Sequence, residues 1–459
     1  MNSTNQSSVS LKPNLLDRIL NRFQAWAIEN PQNFVSLTLL PIIGFLEGFL
    51  ANFLFSYPVY LDMKKRKLGS TFCCAGQVVL ADFKTIETNL TSPQARTWYL
   101  GISPLSARHC PQIDIGGRNV FLISLSDTGT EGNDHDAFRH CVEDYFFTDE
   151  MKVRQHDPVG RELLETLGAD YRELASENRL EGFFIDENRG LMSFLIRYLH
   201  YVIFAIDPHD DSSIAALTNF HYTRRGTLHY FAASRILERF NLLGWSEIPG
   251  MIEAVGTIYE KSPVLANFQE NNPKYNNMTR RELAKLMVAL MSIAALQGPL
   301  HLGRTAMGYQ SLPPYKGLKT SEIDVTAYWD RLDLDNPSSI KLFLLECGRL
   351  FTPVSASHRV ATDSFTTTIA GKTRTFPPGT IILIPMILGM LTETVWGATP
   401  YEFQPQRENL CPYHMGFHSV GDRHAGRICP GKDLALETLT DVIRIVGKVR
   451  RSQLGLTSH

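Results

Sequence analysis

The stretch GDRHAGRICPGKDLALETL, residues 421–439, decides how this chain is read. Cys429 is followed by Pro430 and Gly431 and then by good helix formers that include Leu434, Ala435, Leu436 and Leu439. That order places a thiol just ahead of a helix N-terminus. Unpaired backbone N–H groups and the positive end of the helix dipole favour thiolate over thiol there, the form that ligates iron or attacks carbon. Gly431 lacks a Cβ where a flat cofactor would approach the backbone. A cysteine before a helix is by itself more often a small buried filler, so the reading depends on what else the chain carries.

Upstream, in KLFLLECGRL (residues 341–350), Glu346 and Arg349 are spaced to share one helix face and to pair. Arg359 follows after Leu350, Phe351, Thr352 and Pro353, and PYEFQPQREN (400–409) carries Phe403, Pro405 and Arg407. Nearer the N-terminus, GNDHDAFRH (132–140) spaces His135 and Arg139 as an i,i+4 pair.

The rest of the chain bounds the class. Of its 459 residues 44% are hydrophobic and 20% charged, which supplies a substantial core and excludes a disordered or collagen-like chain. The balance of 45 Lys+Arg against 47 Asp+Glu leaves a net charge of -2 and no global field to recruit nucleic acid. Seven cysteines, an odd and sparse set, argue for a reducing compartment rather than a disulfide framework. No internal repeat or linker divides the chain. The expectation is a single domain over residues 49–459, behind an N-terminal segment, 1–48, with candidate membrane contact.

Residues 1–33 are polar, and Phe34 to Leu61 are apolar apart from interruptions at Pro41, Glu47 and Pro58. About 20 apolar residues suffice to span a bilayer. Glu47 near the middle would be costly in hydrocarbon, and the basic run Lys64–Lys67 follows rather than precedes the segment. A helix in the membrane interface, or one packed on the protein itself, therefore ranks ahead of a span. The expected location is cytoplasmic, or peripheral at a membrane facing the cytosol, with a transmembrane anchor still open.

Strand-like stretches are few: Thr71–Cys74 and Gln77–Leu80 around Ala75-Gly76, then Phe365–Ile369 and Thr380–Ile384 around Gly371 and Pro377-Pro378-Gly379. The clearest helix starts at Thr279, which makes a capping box with Glu282, and runs on through Leu283, Leu286, Met287, Leu290 and Ile293. A mainly α fold with a small β region drawn from both ends of the chain follows.

Taken together, these residues resemble the motifs of the cytochrome P450 superfamily. That family's Glu-x-x-Arg is similar to Glu346 and Arg349, and its following proline and haem-propionate arginine to Pro353 and Arg359. Its meander is similar to Phe403, Pro405 and Arg407, its haem-ligand loop to Arg427, Cys429 and Gly431, and its propionate-facing helix to His135 and Arg139. The resemblance covers roughly Tyr57 to the C-terminus. It implies the haem-thiolate fold and haem b (iron protoporphyrin IX) with Cys429 as axial ligand, pushing electron density onto iron to assist O–O cleavage. It further implies His135, Arg139, Arg359 and Arg427 on the propionates, with Glu346, Arg349, Phe403 and Arg407 as scaffold.

Two departures bear on function. The family's phenylalanine seven residues before the cysteine and glycine four before it are here Asp422 and Ala425, with Phe417 the nearest phenylalanine. Such a lengthened loop resembles those of branches that use peroxides, namely plant hydroperoxide-rearranging enzymes and bacterial fatty-acid peroxygenases. In AALQGP (294–299), Gln297 and Gly298 stand where monooxygenases of the family carry an acid and a threonine. Neither relays a proton as a carboxylate and hydroxyl do. Gly298 and Pro299 are expected to break the helical ladder. A shifted register would give the part to Thr305.

The leading expectation is a haem-thiolate enzyme acting on a lipid-like hydroperoxide or using peroxide, with Gln297 and Gly298 at the reacting site. The alternative is a reductase-dependent monooxygenase of a small hydrophobic substrate, docking its redox partner on Arg423, Arg427, Lys432, Lys448, Arg450 and Arg451. From another class, a non-catalytic haem sensor fits too. A zinc protein ranks low because the cysteines and histidines show no paired spacing.

Overall fold

The computed structural model describes residues 13–53, 57–92, 99–100, 114–115, 118–119, 142–222, 248–273, 279–309, 318–410, 414–417 and 428–455. Three helices, α1 (Leu15–Glu29), α2 (Phe34–Phe53) and α3 (Tyr57–Leu68), precede the hairpin β1 (Thr71–Cys74) and β2 (Gln77–Leu80). After α4 (Phe83–Leu90) come the short strands β3 (Tyr99–Leu100), β4 (Asp114–Ile115) and β5 (Arg118–Asn119). A helical body follows, with α5 (Asp149–His156), α6 (Pro158–Ser176), α7 (Leu180–Ile185), α8 (Gly190–Phe204), α9 (Asp211–Tyr222), α10 (Ile248–Glu260) and α11 (Pro263–Asn271).

The central helix has two parts, α12 (Arg280–Leu290) and α13 (Gln297–Ala306), joined by a π-helical stretch, Met291–Leu296. Beyond α14 (Val325–Trp329) and α15 (Pro337–Leu350) lie β6 (Ser357–Val360), β7 (Phe365–Ile369), β8 (Lys372–Phe376) and β9 (Ile381–Ile384). Short α16 (Met386–Gly389) and α17 (Glu393–Trp396) lead to the long final helix, α18 (Lys432–Leu454).

The main sheet has the order β1-β2-β9-β6-β3, so strands from both ends of the chain meet in it. Its β2–β9 pair is parallel, with Val78 opposite Ile382, and its other pairs are antiparallel. The β1–β2 and β7–β8 hairpins turn on Ala75-Gly76 and Ala370-Gly371, all four residues at positive φ. That turn follows the right-handed twist of the strands, and glycine relieves half of its backbone strain.

Thr279 caps α12 as expected, through a reciprocal bond with Glu282. The ladder irregularity, however, precedes Gly298 and Pro299 rather than falling on them. Pro299 cannot donate to the carbonyl one turn back and its ring crowds that carbonyl, so the chain widens over 291–296 and resumes α geometry at Gln297. Helix α18 packs on α6 at Gly168, where a Cβ would stand 2.8 Å from Ile445, and on α13 at Gly303, where one would stand 3.1 Å from Leu439.

The N-terminal helices are tied to the first hairpin by polar bonds. Glu47 of α2 is buried and pairs with Lys64 at 2.5 Å. It also accepts from the Ala75 N–H at 2.7 Å and from Gln24 at 3.0 Å, while Gln24 accepts from the Gly76 N–H. The residue that would be costly in hydrocarbon is thus turned onto the protein. No described helix is long and apolar enough to cross a membrane.

Candidate functional site

Helix α15 carries the first half of the site. Asn336 caps it by accepting from the N–H groups of Ser338 and Ser339, and Pro337 fixes its first turn. Both members of the Glu346–Arg349 pair have no solvent exposure, and they meet through two bonds of 2.7 and 2.8 Å. Arg349 spends its remaining donors on the carbonyls of Met390, Pro400 and Glu402. Glu346 in turn accepts from the Gln404 N–H at 2.9 Å and from Arg407 at 3.3 Å. Arg407 also donates to the carbonyls of Trp396, Thr399 and Glu402, and Phe403 is buried against Tyr328 and Phe343. Glu346, Arg349, Phe403 and Arg407, read from two separate segments, therefore form one buried polar knot. Its forked, charge-assisted bonds fix the path of residues 390–407.

The second half is the turn holding Cys429. Its N–H donates to the Phe417 carbonyl at 2.8 Å, across eleven intervening residues, and three residues later α18 begins. Gly431 stands at the cap with no side chain to satisfy the first turn of α18, and a Cβ there would stand 3.6 Å from the Phe147 ring. Among the described cysteines, Cys73, Cys74 and Cys347 are fully buried and burial pushes their thiols up; Cys429 alone is partly open. Protonated, enclosed thiols are inert, so access singles out Cys429.

His414 joins the two halves, and no sequence pattern pointed to it. It is fully buried, donates from Nε2 to the Leu345 carbonyl of α15 at 2.8 Å, and its ring lies 5.1 Å from that of Phe417. A Cβ on Gly348 would stand 3.1 Å from the imidazole, and one on Gly416 2.9 Å. The two glycines flanking it are the only trace of that slot in the sequence.

Burial holds His414 down to about 4, and it does the same to His200 of α8, which donates from Nδ1 to the Ile196 carbonyl and meets the Tyr259 hydroxyl at 2.6 Å. The unfolded chain binds these protons near pH 6.5, well before the folded one can. Stability is therefore full above that value and falls as pH drops toward 4, by about 3 kcal/mol for each histidine over the whole window. Urea midpoints at pH 7, 6 and 5 should descend; a flat profile would contradict the two buried neutral imidazoles.

Gln297 opens α13, half-buried, and its Nε2 is enclosed with no hydrogen-bond partner. Gly298 has open space where a Cβ would stand. Thr305 is buried in the last turn of the same helix, beside Arg304, which donates to the Phe184 carbonyl. Arg359 is buried in β6, opposite Ile382 of β9, and its charge adds to burial in holding neighbouring His358 down to about 4. His135, Arg139 and Arg427 lie outside the described residues, as does Arg423. Of the other basic residues near the C-terminus, Lys448 pairs with Asp335, Arg450 with Asp330, and Arg451 donates to the Trp329 and Leu332 carbonyls. Lys432 lies over the Phe417 ring. Among the described residues no group of three or more His, Cys, Asp or Glu could hold a metal ion.

No protein-family model matches the chain, and no curated protein does. Solved structures do match. A cytochrome P450, CYP102L1, superimposes with a TM-score of 0.60 at 15% identity, over 85% of this chain and 91% of its own. The P450 heme domain of Tepidiphilus thermophilus gives 0.57 at 15%, over 87% of each chain. Substrate-free CYP150A6 of Mycobacterium marinum gives 0.54 at 15%, over 88% of this chain and 86% of its own. Likeness at such identity concerns the fold.

Proposed function

Because the chain has the cytochrome P450 fold, we propose that it is a haem-thiolate oxidoreductase holding haem b through Cys429. The observation that carries this reading is the position of Cys429: the one partly open thiol among the described cysteines, ahead of α18, in a turn closed on Phe417. The residues fit such a group. A partly open sulfur donor and a glycine cap without a Cβ would leave room for a flat group held through Cys429, and the unpartnered Gln297 Nε2 is a donor without a protein acceptor. Arg359, with His135, Arg139 and Arg427, would hold the propionates, and Gly431 would let the backbone approach the ring.

Bound haem supplies the redox chemistry of iron, with a thiolate ligand that favours O–O cleavage. The chain's own part is to hold and orient. The buried knot of Glu346, Arg349 and Arg407 keeps the proximal segment fixed, and the His414 bond to Leu345 ties that knot to the turn bearing Cys429. Gln297 donates a hydrogen bond from Nε2 to an oxygen of the substrate, and Gly298 leaves room beside it. Neither group moves a proton. Thr305, at the far end of α13, is less suited to that part than Gln297 at its start.

This favours a substrate whose oxygen arrives already reduced: a lipid-like hydroperoxide that is rearranged, or hydrogen peroxide used to oxygenate a hydrophobic molecule. Ferric protein mixed with a fatty-acid hydroperoxide and no reductant is expected to convert it. Turnover only with a reductase and NAD(P)H would replace this reading with a monooxygenase, and silence under every oxidant would favour a sensor. The Gln297→Glu, Gly298→Thr double variant should lose hydroperoxide conversion at least about tenfold and gain reductase-dependent turnover. An unchanged oxidant preference would remove Gln297 and Gly298 from the reacting site.

A further inference from the structure

Helix α9 (Asp211–Tyr222) buries Ile214, Leu217 and His221, a spacing of three and then four that makes one helical stripe. The last place on that stripe, where a leucine or phenylalanine would complete it, holds an imidazole. His221 has no solvent exposure, and neither of its ring nitrogens has a hydrogen-bond partner. A neutral imidazole carries one N–H donor and one lone pair, so docking this residue strips water from both and returns nothing.

The groups around it are already committed. On α8, His200 lies 5.2 Å away ring to ring, but its Nδ1 donates to the Ile196 carbonyl of its own helix and its Nε2 accepts from the Tyr259 hydroxyl of α10 at 2.6 Å. Tyr198 and Tyr201 of α8 donate to the Gln155 carbonyl and to Asp157. Arg197 of α8 pairs with Asp211 at the far end of α9, and on α10 Glu253 pairs with Arg281 and Lys285 and Glu260 with Arg281. Among the described residues no carboxylate therefore stands by to hold a protonated His221. Burial, and then the neighbouring His200, keep it well below the usual histidine range.

We propose that the last two turns of α9 are an acid-released latch, docked on α8 and α10 while His221 is neutral and let go when it takes up a proton. Released, the imidazole is solvated on both nitrogens and binds a proton near pH 6.5; docked, it is denied one. The docked form is thus favoured in full above that value and loses about tenfold in its docking equilibrium for each pH unit below it. One proton is involved rather than two, because His200 keeps both of its bonds when α9 leaves. The first turn stays in place. Asp210 accepts there from Ser213 and Ser212, bonds that hold its carboxyl down to about 2, so the cap remains charged throughout the window. None of these contacts involves the Cys429 turn, and the latch stands apart from the haem reading.

The test is hydrogen exchange of the full chain at pH 7 and pH 5, read by mass spectrometry and corrected for the intrinsic rate at each pH. Amides of residues 217–222 should be less protected than those of α6 and α18 at both values, and their protection should fall about twenty-fivefold between them. His221→Phe fills the same place on the stripe and needs no partner. It should raise that protection at pH 7 and leave a change of less than about threefold between the two pH values. His221→Gln, polar but not titrating, decides the matter should the first variant misfold: protection stays low at pH 7 and the response is equally flat. Protection of 217–222 equal to that of α6 and α18 would mean that α9 opens only with the whole molecule, and overturns the latch. So would a flat response in the wild-type chain, or a full response in either variant.

Discussion

Replacing Glu346 with alanine should lower the unfolding free energy by about 3–5 kcal/mol, among the largest effects of any single change in this chain. The reason lies in what would be left behind. Arg349 has no solvent exposure and Arg407 little, and both direct guanidinium N–H groups at the Glu346 carboxylate. Removing the carboxylate strands two charges that water cannot reach, and it also frees the Gln404 N–H that fixes residues 400–407. Glu346→Gln keeps the shape and one acceptor but not the charge, so its loss should be smaller. The exposed pair Arg179–Glu177 makes the contrast, since breaking it should change stability by less than about 1 kcal/mol. Urea denaturation of the three variants checks the order. A Glu346→Ala midpoint no lower than that of the surface variant would mean that the knot does not support the fold.

Cys429→Ser should behave in the opposite way. Its side chain is partly open and sulfur and oxygen differ little in size, so stability should move by less than about 1 kcal/mol. Function should fall to background, because a hydroxyl does not replace thiolate as a donor of electron density to iron. The check is optical. Wild-type protein reconstituted with haem, reduced with dithionite and exposed to carbon monoxide should show the red-shifted Soret band of a thiolate-ligated haem, and Cys429→Ser should not. Cys347→Ser, at a fully buried thiol away from the turn, should keep that band. A wild-type spectrum without the shift would end the haem-thiolate reading, whatever the fold.

The two substitutions separate what the sequence could say from what it could not. The Glu346 and Arg349 pairing was legible, because three residues on one helix set the distance. So were the Thr279 capping box and the strands Thr71–Cys74, Gln77–Leu80 and Phe365–Ile369, whose signals lie within a few residues of one another. Strands β6 and β8 were not read. Ser357–Val360 and Lys372–Phe376 are short and largely polar, and they become strands only because β9 and β7 supply a ladder beside them.

By itself the sequence determined the local devices: which segments coil, where they are capped, where hairpins turn, and that a cysteine precedes the last helix. Bonds between residues three or four apart form in any compact chain with that order. Tertiary structure alone decided that Arg407 shares the Glu346 carboxylate, that His414 fills the slot between α15 and the Cys429 turn, and that Glu47 faces the first hairpin rather than lipid. Each of those choices joins segments far apart in the chain, and a buried polar group takes whichever partner packing brings within hydrogen-bond reach.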